Sequence, residues 1–343
     1  MFEFLSVLWF FLIFVLIAGY FVLDGFDLGI GVLSPFIAKN DEERGILRRA
    51  IGPVWDGNEV WLLTAGGALF AAFPNAYATT FSGFYLAVML VLFGLIVRAV
   101  SFEFGAGDPG WRKLWDICFF VGSLLPALLL GVAVGNIFAG IPMDAAGHYA
   151  GVPLLGLVTP FTLLCGLLGL AMFLAAGACW AALKAPLPSE LRDRAARLRM
   201  PLQVVCLALF VVVSIFALFL IGPEMDGNLT VLRWLFAAVV VVALGASIAL
   251  AGTEKGDLKA FLCQSAGMIA LVALLACSMF PVLVNATADS VGPAITIANA
   301  ASSELSLLCM TVITCIGLPL VLIYHVIIYR TFRGRISAQD LGE

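Results

Sequence analysis

Long apolar stretches dominate this chain and restrict its fold more than any other feature. A helix that crosses a bilayer needs about 20 mainly apolar residues, and nine stretches of roughly that length follow one another. The predicted spans lie at about 7–35, 51–72, 80–104, 114–138, 154–183, 200–221, 230–251, 261–283 and 305–329. The predicted fold class is therefore all-α, a polytopic membrane helix bundle that forms a single integral membrane domain over residues 1–343.

Composition excludes the other broad classes of protein. The chain is 63% hydrophobic and 12% charged, whereas soluble domains are about 45–50% apolar and about 25% charged. A soluble protein of this makeup would expose large apolar patches and aggregate. A net charge of −4 argues against nucleic-acid binding, which needs a basic face.

The placement of Lys and Arg predicts the orientation in the membrane. The first, third, fifth and seventh connections and the C-terminal tail hold all of the 18 basic residues except Arg98 and Arg233. Connections rich in Lys and Arg face the cytoplasm. We therefore expect the N-terminus outside and the C-terminus inside, which requires an odd number of spans, and nine spans satisfy it.

Ionisable residues are concentrated in the first three predicted helices. They are Asp24 and Asp27 in the first helix, Asp56 and Glu59 in the second, and Arg98 and Glu103 in the third. The spacing i,i+3 places the two acids of each pair on one helix face. Because the helices alternate in direction, all six residues fall at similar depth near the cytoplasmic end, where they are expected to meet.

This cluster contains more acids than cations. One arginine pairs with about one carboxylate, so the remaining acids must be protonated, hydrated or paired with a neighbouring chain. Buried acids that face water chains are typical of proton relays. The structural alternative is that these polar groups only satisfy one another at tight helix contacts.

Histidine and cysteine give no sign of a metal or haem site in this chain. The two histidines, His148 and His325, are predicted to lie on opposite sides of the membrane, so they cannot ligate one haem together. None of the eight cysteines forms a CxxC pair, the spacing typical of zinc and redox motifs. We therefore expect no metal and no cofactor bound by this chain alone, and no catalytic residue in it.

Several segments together resemble a known family, subunit II of the cytochrome bd-type quinol oxidases. The matching segments are 19–29 (GYFVLDGFDLG), 52–62 (GPVWDGNEVWL), 70–74 (FAAFP), 98–104 (RAVSFEF), 317–320 (GLPL) and 332–335 (FRGR). The first two segments are long and specific, and the resemblance runs from end to end of the chain.

The resemblance implies an enzyme subunit rather than a complete enzyme. Its partner would be a homologous subunit I that holds two b-type haems and haem d, with single-helix accessory subunits in some complexes. The complex would oxidise quinol and reduce O₂ to water in the bacterial cytoplasmic (inner) membrane. Subunit II would support assembly and a cytoplasmic proton-uptake route.

The resemblance also implies roles for particular side chains. Asp24, Asp27, Asp56, Glu59, Arg98 and Glu103 become candidates for the proton route. Trp55 and Trp61 would pack beside the route, or contact lipid or a structural quinone.

Two other functions are compatible with a polytopic acidic bundle. A proton-coupled secondary transporter would use the acidic cluster as its coupling site, but such transporters often carry repeats with broken helices in matching halves. Here the buried charges occur only in the first third of the chain, which favours the oxidase subunit. A membrane scaffold would show no effect on proton transfer.

Overall fold

The computed structural model describes residues 1–105, 107–221, 229–250 and 256–336, and most of them are helical. The helices are α1 (Phe2–Leu23), α2 (Gly25–Ile37), α3 (Asp41–Ile51), α4 (Trp55–Ala72), α5 (Pro74–Gly83), α6 (Tyr85–Phe104), α7 (Arg112–Ala139), α8 (Pro160–Lys184), α9 (Glu190–Phe216), α10 (Thr230–Leu250), α11 (Asp257–Met279), α12 (Ile297–Ala300) and α13 (Glu304–Thr331). Two short antiparallel strands, β1 (Val282–Val284) and β2 (Ile295–Thr296), lie between α11 and α13.

Eight helical segments within these ranges are long and apolar enough to cross a membrane. The first is the combined α1–α2 segment Phe2–Ile37, and the others are α6 to α11 and α13. The predicted span at 51–72 corresponds to α4, which has only 18 residues and is not among the eight. Its first two turns carry Asp56, Asn58 and Glu59, which lower its apolar character.

Several predicted helix ends differ from those in the structure. The predicted span at 7–35 begins at Phe2 and is divided at Asp24, although the backbone bonds Asp24 N–Tyr20 O and Leu28 N–Asp24 O continue on either side. The span at 80–104 begins only at Tyr85, because the preceding residues form the separate helix α5.

The other differences also have local causes. The span at 154–183 begins at Pro160, where Thr159 caps the helix. The span at 200–221 begins ten residues early at Glu190, after the cap Ser189, because ion pairs stabilise its charged first turns. The span at 261–283 begins at Asp257 and ends at Met279, since Pro281 and strand β1 follow.

Two predictions fall on residues outside the described ranges. They are residue 251, predicted to end a span, and Lys255, counted in the seventh connection.

Ion pairs join the basic connections on one face of the bundle. Arg48 on α3 donates to Asp116 on α7 at 3.1 Å, and Arg194 on α9 pairs with Glu43 on α3. These contacts bring the first, third and fifth connections together. The alternation of Lys and Arg along the sequence predicts this common face.

Asp257 at the start of α11 extends the same face. Its carboxylate accepts from Arg192 at 3.0 Å, from Arg199 at 2.8 Å and from Arg335 of the C-terminal segment at 2.8 Å. Asp257, Arg192 and Arg199 are buried. A buried carboxylate needs such partners because its desolvation is costly.

Small residues allow the helices that carry the buried acids to pack closely. A Cβ atom at Gly29 of α2 would collide with the carbonyl oxygen of Phe173 on α8, and a Cβ at Gly177 would lie 2.6 Å from the backbone of Gly29. A Cβ at Gly122 of α7 would lie 2.7 Å from the backbone nitrogen of Arg98 on α6. Close backbone approach of this kind is typical of membrane helix contacts.

Candidate functional site

A buried ion-pair cluster lies where the α1–α2 break meets α4 and α6. Arg98 Nη2 donates to Asp24 Oδ1 at 2.8 Å and to Glu59 Oε1 at 2.5 Å. The Asp24 side chain is fully buried and that of Arg98 is 3% exposed, whereas that of Glu59 is 24% exposed. Glu59 is therefore the member of the cluster that reaches the surface of the chain.

Asp27, one helical turn after Asp24, is held by a separate chain of hydrogen bonds. Asn58 Nδ2 donates to Asp27 Oδ2 at 2.8 Å and to the carbonyl of Leu23 at 3.0 Å. The hydroxyl of Tyr329 on α13 donates to Asn58 Oδ1 at 3.1 Å. Asn58 thus connects the acidic helix α2 to the last span of the chain.

Four buried polar atoms of this region make no hydrogen bond to the described part of the chain. They are Asp24 Oδ2, Asp27 Oδ1, Arg98 Nη1 and the hydroxyl of Tyr20. Buried polar atoms are usually paired with protein or with water, so this region has the polarity needed to hold water.

The structure brings four of the six predicted residues together. Asp24, Asp27, Glu59 and Arg98 lie around the α1–α2 break. The Arg98 guanidinium pairs with Asp24 and Glu59, and Asp27 accepts a hydrogen bond from Asn58. Asp56 and Glu103 are exposed, and neither makes an ion pair or hydrogen bond within the described residues. Each lies at a helix end, Asp56 in the first turn of α4 and Glu103 in the last turn of α6.

The two predicted tryptophans lie on opposite ends of the acidic segment of α4. Trp55 is partly buried beside Phe102, with ring centroids 5.6 Å apart. Trp61 is 7% exposed, packs against Gly19 and donates from Nε1 to His325 Nε2 at 3.2 Å. The other ring nitrogen of His325, Nδ1, lies 2.9 Å from the carbonyl oxygen of Val321.

Three residues of this site were not among the sequence-based candidates. Tyr20 could have been found, since it lies four residues before Asp24 and so shares its helix face. Asn58 lies within the motif of α4 that also holds Asp56 and Glu59. Tyr329 gives no comparable signal, because it contacts Asn58 across 271 residues of sequence.

Apolar spanning helices that bury a carboxylate–guanidinium cluster define the class of this chain. It is a polytopic membrane protein with buried ionisable groups, which are rare in membrane spans. Among the described residues no group of three or more His, Cys, Asp or Glu side chains could hold a metal ion.

Comparison with known proteins identifies the family. The family model described as cytochrome bd terminal oxidase subunit II matches residues 5–332. The chain is 34% identical to the cytochrome bd-I ubiquinol oxidase subunit 2 of Escherichia coli K12, over 99% of this chain and 97% of that protein. It is 37% identical to the cytochrome bd ubiquinol oxidase subunit 2 of Bacillus subtilis, over 97% of each.

A solved structure agrees in fold. A chain of the bd oxidase from Geobacillus thermodenitrificans superposes with a TM-score of 0.76 at 17% identity, over 96% of this chain and 98% of that one.

The chain belongs to the cytochrome bd terminal oxidase subunit II family. It is therefore a subunit of an oxidoreductase, and family membership implies a haem-containing complex with a partner subunit I. Its apolar helices and its bacterial relatives make it a multi-pass protein of the inner membrane. The transporter alternative gains no support from these relatives.

Proposed function

We propose that this chain is the subunit of a quinol oxidase that carries protons from the cytoplasm toward the haems of subunit I. The observation that carries the proposal is the buried pairing of Arg98 with Asp24 and Glu59, of which Glu59 reaches the surface. The complex would oxidise a quinol and reduce O₂ to water, as the names of the ubiquinol oxidase relatives suggest.

The route begins in this proposal at Asp56. It lies in the first turn of α4 and is exposed, so it can take up a proton from the aqueous phase. Glu59 lies one turn deeper on the same helix and contacts Arg98. Asp24 and Asp27 follow at the α1–α2 break, where their unpaired oxygen atoms would be bridged by water. Glu103, exposed at the end of α6, is a second acceptor at the surface.

The proposed route runs along an interface with subunit I. Only 6% of the most apolar stretch of α13 is buried within this chain, and only 28% of the corresponding stretch of α6. Glu59 and the neighbouring apolar surface need a cover other than lipid, because a charge that faces hydrocarbon is costly. A homologous membrane subunit would supply that cover and receive the protons. Single-helix accessory subunits would bind elsewhere.

We propose nine spans, with the N-terminus outside and the C-terminus in the cytoplasm, in one membrane domain over residues 1–343. Eight spans are supported by length and composition, and α4 would be the ninth because it contacts α1 and α13. Reporter fusions after residues 42, 112 and 190 should read cytoplasmic, and fusions after 76 and 146 external. An external signal at 190 would contradict this topology.

The haems are assigned in this proposal to subunit I. His148 is 72% exposed in its side chain, and both ring nitrogens of His325 contact partners in its own chain. These two residues do not fit a shared haem. Trp61, which contacts Gly19 and His325, is better suited to packing beside the route than to binding a quinone. A structural quinone or lipid held by this chain remains part of the proposal.

Replacement of Glu59 tests the proton route. Glu59→Gln keeps a hydrogen-bond acceptor for Arg98 but cannot titrate in this range. In complexes purified with subunit I and reconstituted in liposomes, the haem spectrum should persist while O₂ consumption and proton uptake fall together by about tenfold or more. Glu190→Gln, at an exposed position of α9, is the matched control and should behave as the wild type. Full turnover in Glu59→Gln would contradict the proposal.

A further inference from the structure

A polar cavity of about 180 Å³ lies on the basic face of the bundle, outside the acidic cluster. It is bounded by the junction of α3 and α4, the end of α8 and the segment that follows α13. Its lining includes three cations, Arg49, Lys184 and Arg335, and the aromatic rings of Trp180 and Tyr329. None of the described residues that line it is acidic.

The C-terminal segment forms one wall of this cavity. Arg335 Nη1 donates to the carbonyl oxygens of Ala182 and Ala185 at 2.9 and 2.8 Å, and Nη2 donates to Asp257 at 2.8 Å. The backbone N–H of Ile336 donates to the carbonyl of Lys184 at 2.9 Å. These contacts hold the segment across the end of α8, so the cavity is a built feature of the fold.

Two of the three cations have no carboxylate partner in the part of the chain that is described. Lys184 is 6% exposed, and its Nζ donates only to the carbonyl oxygens of Phe332 and Gly334 and lies 4.9 Å from the centre of the Trp180 ring. Arg49 makes no ion pair or hydrogen bond there and is exposed at the mouth. Positive charge therefore accumulates without local compensation, which favours an anionic ligand.

The position of the cavity indicates the chemistry of that ligand. It lies at the ends of the spanning helices α8 and α13, the depth at which lipid head groups lie. Trp180 and Tyr329 are aromatic residues of the type enriched at this depth. Basic pockets between membrane helices are suited to the phosphate of anionic head groups.

We propose that Arg49, Lys184 and Arg335 bind a phosphate group, carried by the head group of an anionic phospholipid. Lys184 would act as a buried point charge, and the guanidinium of Arg49 would close the cavity from the surface. The ligand would tie the α3–α4 junction to the C-terminal segment. The proposal is independent of the proton route, because none of the three residues belongs to the acidic cluster.

The test uses the complex with subunit I, washed in an uncharged detergent. We expect retained phosphatidylglycerol in the wild type, and a melting temperature that rises when phosphatidylglycerol, but not phosphatidylcholine, is added back. The apparent affinity should fall by about fivefold in Arg49→Gln and by a further comparable factor in Arg49→Gln/Lys184→Met. Because Arg49 is exposed, its replacement should leave folding intact.

A control variant and a measurement with inorganic phosphate complete the test. Arg333→Gln, an exposed cation of the same segment that does not line the cavity, is the control and should bind as the wild type does. Inorganic phosphate that protects as well as the lipid would assign the site to free phosphate. Equal retention and equal stabilisation by phosphatidylglycerol in the wild type, Arg49→Gln and the double variant, together with no effect of phosphate, would overturn the proposal.

Discussion

Arg98 Nη2 lies 2.8 Å from Asp24 Oδ1, and both side chains are almost completely buried. The pair joins α6 to the break between α1 and α2, although the two residues are 74 positions apart in the sequence. The same nitrogen also contacts Glu59 on α4. One guanidinium therefore holds together the three helical segments that carry the acidic residues.

Arg98→Ala should impair assembly as well as turnover. Removing one partner of a buried ion pair costs about 3–5 kcal/mol, because the other charge is left uncompensated. Arg98→Lys should be intermediate, since lysine keeps the charge but loses the planar fork. The yield of complex and its haem content, with exposed Arg197→Ala as control, check this. A normal yield and haem content for Arg98→Ala would show that the pair is dispensable.

Asn58→Leu should destabilise the subunit more than Tyr329→Phe. The leucine removes the hydrogen bonds that Asn58 makes with Asp27 and Tyr329, and each buried group left unpaired costs about 1–3 kcal/mol. Tyr329→Phe removes only one of these bonds. Thermal denaturation of the two variant complexes in one detergent would compare them, and equal melting temperatures would argue against the chain of contacts through Asn58.

Gly29→Ala should destabilise the contact of α2 with α8. The added methyl group meets backbone rather than a flexible side chain, so the helices must separate, at a cost of about 1–3 kcal/mol. Gly67→Ala on α4 is a matched control, because a Cβ atom there has no neighbour within 4 Å. The melting temperature should fall only in the first variant. Equal stability of the two would mean that α2 can move without penalty.

The loop around Asp144, between α7 and α8, should loosen in acid. The backbone N–H of His148 and that of Ala146 donate to its carboxylate at 2.8 and 2.9 Å, and these bonds lower the pKa of Asp144 below its ordinary value of 3.8. Because the carboxyl pKa is lowered in the folded loop, the loop is stabilised at pH values above the ordinary pKa. This stabilisation is lost as the pH falls through the lowered pKa.

Hydrogen exchange at the amides of Ala146 and His148 measures this effect. Protection, corrected for intrinsic rates, should persist near neutral pH and decline below about pH 3.8. Asp144→Ala should remove the protection at every pH, whereas exposed Asp289→Ala should not. Protection that is unchanged in Asp144→Ala would show that the carboxylate does not order the loop.

Much of the fold and the centre of the site could be predicted from sequence because both depend on local patterns. Apolar runs predict the spans, and the i,i+3 acids with Arg98 at equal depth predict a cluster near one face. Helix ends are harder to predict from sequence, because caps such as Ser189 and the ion pairs of the first turns of α9 extend a helix beyond its apolar part.

The rest of the site depends on contacts that leave no local pattern. Tyr329 reaches Asn58 and His325 reaches Trp61 across 271 and 264 residues, so only the packing of α13 on α1 and α4 brings them together. The sequence placed Asp56 and Glu103 at the same depth as the cluster, but depth does not define which way a side chain faces. In the structure these two residues are at the surface.

Asp56 offers the most direct test of the proposed proton route. It makes no contact within the described residues that an amide would break, so Asp56→Asn should leave folding and the haem spectrum unchanged. The measurement is O₂ consumption with cytoplasmic proton uptake, in one preparation each of the wild type, Asp56→Asn and Asp56→Glu. Turnover and uptake should fall together by about tenfold or more in the asparagine variant and largely recover in the glutamate variant. A fully active Asp56→Asn complex would contradict the account, because protons would then enter by a path that does not begin at Asp56.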